Sequence, residues 1–226
     1  MLKALIQFFR NRGPQRELFD EFVEMYDLTR KMIVDAGGIY WNSDCDSGKR
    51  RALHEADIEV NERQRSIRKR MVLRLATSTP LQRAHFMMLM SLLKDVERVG
   101  DYAKNLADVC DITQPAFPDD DITRELIHIR RAVEGMLPEV ARVLRSSDVE
   151  LAKRINQEGR DACKRCNALL GEIAASDYGA RTAVVLALGA RYYRRIASHL
   201  LNLISSVLMP LHKLDYFDEK ELRDTP

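Results

Sequence analysis

The chain has 226 residues, a length that allows one large or two small domains with a substantial buried core. Lysine and arginine total 36 against 34 aspartate and glutamate residues, so the net charge of +2 gives no overall basic excess for binding nucleic acid. Aromatic residues make up only 7% of the chain and charged residues 31%, a composition that is typical of long helices and argues against a β-sandwich, a β-barrel or a disordered chain.

Residues 1–12 form the first amphipathic segment of the sequence. Their apolar stretch is too short for a secretory signal, and no run of about 18 apolar residues predicts a membrane-spanning helix. We expect the segment to begin a helix that packs on its own domain, with a place on a membrane surface or a partner as the alternative. The sequence therefore predicts a cytoplasmic protein, free or attached peripherally to the inner face of the membrane.

Apolar residues at helical spacing predict six long helices. The first covers residues 15–36 and ends at Gly37 and Gly38. The other five are predicted to run from after the polar stretch 42–48 to about residue 76, from 80 to about 110, from 122 to 145, from 148 to about 175, and from 180 to 208.

Two capping boxes mark predicted helix starts. Thr79 suits the N-cap of the third helix, Pro80 its first position, and Gln82 the residue that closes the box. Ser147 and Glu150 have the same spacing and predict a capping box at the start of the fifth helix.

The chain divides into two related halves. Prolines followed by aspartates at 115–121 mark the boundary between the predicted domains 1–116 and 117–226. The third helix of each half aligns at a shift of 97 residues, which brings Arg98 onto Arg195 and gives two further identities nearby. Three helices in each half, joined by short turns, predict an all-α fold of two tandem antiparallel three-helix bundles.

Paired acids on the third helix are the first candidate metal ligands. Glu97 and Asp101 are four residues apart, so both carboxylates project from one face, on the flank of the apolar stripe. Like charges at this spacing repel by about 0.2–0.5 kcal/mol. Lys94 and Lys104 lie three residues outside the pair and could compensate them; a hard cation bound by carboxylate oxygens is the alternative.

The second helix supplies a possible other half of that site. Asp57 and Asn61 are also four residues apart and lie on the flank of their helix's apolar stripe. If the two helices pack antiparallel, both flanks could meet and present four oxygen ligands across one groove. Spacing alone leaves a metal site and a solvated acidic face both open.

These segments resemble one known family. Residues 57–61, Pro80 and residues 95–106 together look like the corresponding parts of the PhoU family of phosphate-transport regulators. The resemblance implies two repeated three-helix bundles, each with E(D)xxxD motifs that bind a surface metal cluster, commonly of iron or zinc. It also implies a non-enzymatic regulator of phosphate transport or phosphate signalling, which binds a membrane transporter or its sensor kinase and forms a homo-oligomer.

The family motifs map onto four residues of this sequence. By resemblance, Glu97 and Asp101 match the metal-binding motif of the third helix. Asp57 and Asn61 match that of the second helix in a weakened form, because an amide replaces one acid. The predicted ligands of an iron or zinc ion are therefore these four side chains.

The second repeat departs from the family motif. At the shift of 97 residues, Glu97 aligns with Arg194 and Asp101 aligns with Ser198. A cation is not favoured beside an arginine, which is always protonated. We therefore expect no metal site in the second half.

Arginines on the sixth helix are a candidate anion site instead. Arg191, Arg194 and Arg195 lie close together, and arginine binds phosphate oxygens bidentately. The alternatives are a solvated basic face and ion pairs of Arg194 with Glu158 or Asp161.

Two other function classes stay open. One is a metal-free helical adaptor, which the altered second repeat favours. The other is a metalloenzyme with a carboxylate-bridged metal, which needs buried ligands and open coordination positions beside a pocket. The flank position of the paired acids argues against this enzyme.

Overall fold

The computed structural model describes residues 14–42, 45–112 and 117–209. The described residues contain six long α-helices and no β-strand, which confirms the predicted all-α class. The helices are α1 (Pro14–Asn42), α2 (Ser47–Leu75), α3 (Pro80–Asp108), α4 (Asp121–Ser146), α5 (Val149–Ala174) and α6 (Ala180–Leu208), with a 3₁₀ turn at Val109–Asp111 after α3.

The helices pack as two three-helix groups that share one core. Within α1–α3, and again within α4–α6, each helix contacts the other two. The groups meet where α3 packs on α6 and α1 packs on α4, and the buried apolar side chains form one continuous cluster across both. The division between residues 116 and 117 borders the undescribed residues 113–116, and it stays a prediction.

The capping residues locate two helix starts. Thr79 Oγ1 accepts a hydrogen bond from the backbone N–H of Gln82 at 3.3 Å. Gln82 Oε1 accepts one from the backbone N–H of Thr79 at 2.9 Å, so the predicted box is confirmed. The box predicted at Ser147 is wrong. Ser147 has a left-handed φ of 60° and ends α4, while Asp148 caps α5 by accepting from the Leu151 amide at 3.0 Å.

The predicted end of the first helix at Gly37 and Gly38 is also wrong. The helix continues through both glycines, and Tyr40 beyond them is fully buried, with its hydroxyl donating to the Val185 carbonyl at 3.1 Å. A Cβ at position 37 would lie 2.7 Å from Glu134 Oε1, so the first glycine allows α1 to approach α4 closely. Burial of the aromatic end outweighs the helix penalty of about 1 kcal/mol per glycine.

Aromatic side chains connect the two halves at this end of α1. Trp41 is the only tryptophan of the chain, and its Nε1 donates to the Tyr193 hydroxyl of α6 at 3.3 Å. Its ring centroid lies 4.8 Å from that of Phe117, which precedes α4. The end of α1 is therefore fixed against both α4 and α6.

None of the helices in the described ranges is long and apolar enough to cross a bilayer. The predicted packing of residues 1–12 concerns a segment outside the described residues.

Candidate functional site

The four predicted metal ligands lie along the groove between α2 and α3. Because these helices are antiparallel, Asp57 and Asn61 of α2 face the part of α3 that carries Glu97 and Asp101. The centre of the groove is occupied by Lys104 of α3. Its Nζ lies 2.8 Å from Asp57 Oδ2 and 3.6 Å from Asp101 Oδ1.

Asp57 is the most buried member of the group. Its side chain is only 9% exposed, and its Oδ2 also accepts a 3.5 Å hydrogen bond from Asn61 Nδ2. Its other oxygen, Oδ1, is buried without a hydrogen-bond partner among the described residues. Further along, Gln64 Nε2 donates to the Leu93 carbonyl at 3.3 Å and ties α2 to α3.

Burial and neighbouring charges shift the pKa values of two side chains in the groove. Burial lowers the pKa of Lys104, but its hydrogen bonds and attraction to Asp57 and Asp101 outweigh this, so its pKa lies above the usual value. Burial raises the pKa of Glu97, and the nearby charge of Asp101 raises it further. Arg98 lies 3.1 Å from Asp101 Oδ2 and 3.8 Å from Glu97 Oε2 and partly offsets the acids.

As arranged, these residues do not fit a metal ion. Carboxylate and amide oxygens suit a hard cation, but the ammonium of Lys104 already lies between Asp57 and Asp101. In the described ranges, no three or more His, Cys, Asp or Glu side chains are grouped so that they could hold a metal. Of the two lysines considered as compensating charges, Lys104 takes that role, whereas Lys94 is exposed and bonds no described residue.

The α6 arginines differ in burial. Arg191 is exposed, whereas Arg194 and Arg195 are half-buried. Arg194 lies against α5, where Cys163 Sγ donates to its carbonyl at 3.8 Å, and its Nε is buried without a described partner.

The ion pair considered for Arg194 does not form. Glu158 instead pairs with Arg154 at 3.2 Å, and Asp161 accepts from Gln157 at 3.0 Å. This alternative is therefore wrong for the described residues, and the anion site stays a prediction.

Comparisons with known proteins identify the fold. Residues 22–110 match the family model described as the PhoU domain. The crystal structure of the phosphate transport system regulatory protein PhoU from Streptococcus pneumoniae aligns with a TM-score of 0.76 and 17% identity, covering 93% of this chain and 97% of that chain. Residues 22–110 are therefore similar to the PhoU domain, and the whole chain has the fold of a PhoU protein.

A second PhoU-family structure gives the same result. PhoU from Pseudomonas aeruginosa aligns with a TM-score of 0.74 and 21% identity, covering 85% of this chain and 94% of that chain. No curated protein matches the sequence. The PhoU domain match ends at residue 110, so the likeness of the second half rests on the fold alone.

Sequence reasoning missed a buried polar contact between the halves of the chain. Asp95 of α3 is 6% exposed, and its Oδ1 is 2.8 Å both from Asn202 Nδ2, which donates to it, and from His199 Nδ1. The His199 ring also stacks on Tyr102, with centroids 5.6 Å apart. The sequence did show an acid beside the apolar stripe of α3, which could have indicated a buried polar contact. Its partners lie more than 100 residues away along the sequence, so they could not be identified.

Proposed function

We propose that this PhoU-like protein is a non-enzymatic cytoplasmic regulator of phosphate transport or phosphate signalling. It acts by binding a phosphate transporter, or the sensor kinase of that transporter, at the inner face of the membrane. The observation that carries the proposal is the PhoU domain at residues 22–110, in a chain whose whole fold matches a phosphate transport system regulatory protein.

The groove between α2 and α3 supports binding rather than catalysis. A metalloenzyme of this type needs carboxylates that bridge a metal with open coordination positions. Asp57, the most buried acid of this groove, is instead held by Lys104 at 2.8 Å. A buried acid that is committed to an ion pair with its own chain offers neither a ligand nor a general base.

We favour the metal-free form of this function. Iron or zinc at Asp57, Asn61, Glu97 and Asp101 stays a prediction of the family resemblance, and Lys104 would have to leave before a cation could approach Asp57. Elemental analysis of protein purified without a metal-affinity tag tests this directly. We expect less than about one-tenth of a metal ion per chain, since ligands that are already paired bind metal weakly. A stoichiometric metal that is lost in Asp101→Ala would show that the metal-bound form operates.

The transport role is tested by capture of the partner. The tagged full chain serves as bait for detergent-solubilised membranes from cells grown with scarce or plentiful phosphate. We expect a subunit of a phosphate transporter or a sensor kinase, in amounts that change with phosphate supply. Recovery of soluble proteins alone, or identical recovery under both conditions, would contradict the proposal.

Two smaller proposals concern the α6 arginines and assembly. We propose that Arg191, Arg194 and Arg195 bind a phosphate anion, because Arg194 presents a buried Nε with no described partner. Calorimetry with inorganic phosphate should show binding that Arg194→Met abolishes and the control Arg131→Met keeps. We also propose a homo-oligomer, for which light scattering should give a mass above the 26.0 kDa of one chain.

A further inference from the structure

The end of the α2–α3 hairpin is strongly basic. From position 63 to position 94, between Glu62 and Asp95, the sequence has eight lysines and arginines and no acid. This stretch covers the second half of α2, the turn, and the first half of α3. Since the whole chain has a net charge of only +2, the remainder of the molecule is net acidic.

Ion pairs neutralise only part of this charge. Arg63 lies 3.0 Å from Glu24 of α1, and Arg70 pairs with Glu17 at 3.4 Å and with Glu21. Six other cations make no ion pair or hydrogen bond through their side chains with any described residue: Arg65, Arg68, Lys69, Arg74, Arg83 and Lys94. All but the half-buried Arg68 and Arg74 are exposed.

Large apolar side chains are exposed among these free cations. Val72 and Leu73 of α2 are 58% and 68% exposed, and Leu81 and Met87 of α3 are 64% and 62% exposed. On α2, Lys69 precedes Leu73 by one helical turn, so charge and apolar surface share one side of the helix. We call this surface, from Arg65 to Met87, the basic end.

The first turn of α1 lies beside the basic end, as the contact of Glu17 with Arg70 shows. The 13 residues that precede α1 contain three cations, five large aliphatic or aromatic side chains after Met1, and no acid. The sequence of this segment therefore has the same mixture of charges and apolar groups as the basic end.

We propose that the basic end docks on the surface of a membrane rich in anionic phospholipid. Lipid phosphates attract unpaired lysines and arginines, and each such cation near the surface strengthens binding about fivefold. Exposed aliphatic side chains gain by entering the boundary between headgroups and acyl chains. Nucleic acid would match the charge, but its backbone would leave Val72, Leu73, Leu81 and Met87 in water.

This inference stands independently of the proposed regulatory function. Docking would place the molecule on the surface in which a membrane transporter lies, but the lipid contact needs no transporter. The experiment below uses lipid alone, so its failure leaves the proposed function untouched.

The test is sedimentation of the purified full chain with vesicles. Vesicles of phosphatidylcholine are compared with vesicles that contain about one-third phosphatidylglycerol, whose negative charge attracts basic segments. We expect at least about tenfold stronger binding to the anionic vesicles, weakening as added salt screens the charges.

A matched pair of fourfold variants isolates the basic end. Replacing Arg65, Lys69, Arg74 and Arg83 by glutamine should weaken binding to the anionic vesicles by a factor on the order of 100. The control replaces one lysine and three arginines that are exposed on other helices and have no described partner, namely Lys31, Arg131, Arg142 and Arg181. The control has the same net charge and should bind as the unchanged protein does. Circular dichroism confirms that both variants are folded.

A separate variant tests the apolar contribution. Leu73→Ser with Leu81→Ser keeps every charge and should weaken binding at high salt severalfold, because hydrophobic contacts are not screened. Equal binding of the two fourfold variants would overturn the proposal. So would equal binding of the unchanged protein to neutral and anionic vesicles. A failure to bind anionic vesicles would overturn it as well.

Discussion

Replacing Lys104 by methionine is the sharpest test of the groove between α2 and α3. The change keeps the length of the side chain but removes the ammonium that lies 2.8 Å from Asp57. Asp57 would then keep a carboxylate that is 9% exposed, with neither a cation nor a partner for Oδ1. Removing one member of a buried ion pair costs about 3–5 kcal/mol. Because the Lys104 side chain is 23% exposed, water screens the pair, and we expect a loss of about 2–3 kcal/mol.

The pH gives a second readout, because the pKa of Lys104 lies above its usual value in the folded protein. The stability that the ammonium provides is therefore lost as the pH rises above the unfolded-state pKa of about 10.4. The loss of stability in Lys104→Met should be smaller above about pH 11 than near pH 7.

The assay is urea unfolding followed by circular dichroism. Lys94→Met is the control, because Lys94 is on the same helix, is exposed and bonds no described residue. It should change the free energy of unfolding by less than about 0.5 kcal/mol. The reasoning is refuted if Lys104→Met is as stable as this control.

Four further substitutions test the packing and the electrostatics. Gly189→Ala would place a Cβ 2.2 Å from the hydroxyl of the buried Tyr40, so urea unfolding should show a loss of about 2–3 kcal/mol. Gly171→Ala, which meets open space, should instead gain about 0.5–1 kcal/mol, and equal effects would contradict the packing argument. Asp95→Ala removes an oxygen that two α6 side chains contact at 2.8 Å, and it should lower the unfolding free energy by about 2–4 kcal/mol; a loss below about 0.5 kcal/mol would rule out this contact as a link between the halves. Burial raises the pKa of Glu97 in the folded protein, so the stability that the protonated form provides is lost as the pH rises above the unfolded-state value of about 4.3. Glu97→Gln should therefore stabilise the protein at about pH 7 by up to about 1 kcal/mol and have no effect near pH 3.5, and a destabilised variant at pH 7 would contradict this sign.

Local signals in the sequence predicted most of the helices correctly. The Thr79 box and Pro80 depend on neighbours within three residues, so the start of α3 could be read directly. The end of α1 could not, because the buried Tyr40 donates a hydrogen bond to the carbonyl of Val185, a residue from the other half of the chain. Glycines favour a helix end locally, whereas packing against distant elements decided this one.

The candidate site was only partly predictable for the same reason. Spacing placed Asp57 and Asp101 on facing flanks and identified Lys104 as a possible compensating charge. Whether a lysine or a metal ion neutralises these acids depends on distances across the groove. The spacing of residues along the sequence does not give those distances. The basic end was missed for another reason. The net charge of +2 is a sum over the whole chain, in which the positive charge of the hairpin is offset by the negative charge of the remaining residues.

Trp41 makes the junction of the two halves visible to spectroscopy. As the only tryptophan, it supplies an intrinsic fluorescence signal from one place, where its indole nitrogen meets Tyr193 of α6 and its ring meets Phe117. Any rotation of α1 against α6 would change the polarity around the indole and shift its emission. Titrations with lipid, phosphate or metal can therefore report, without an added label, whether binding to one half changes the structure at the junction with the other half.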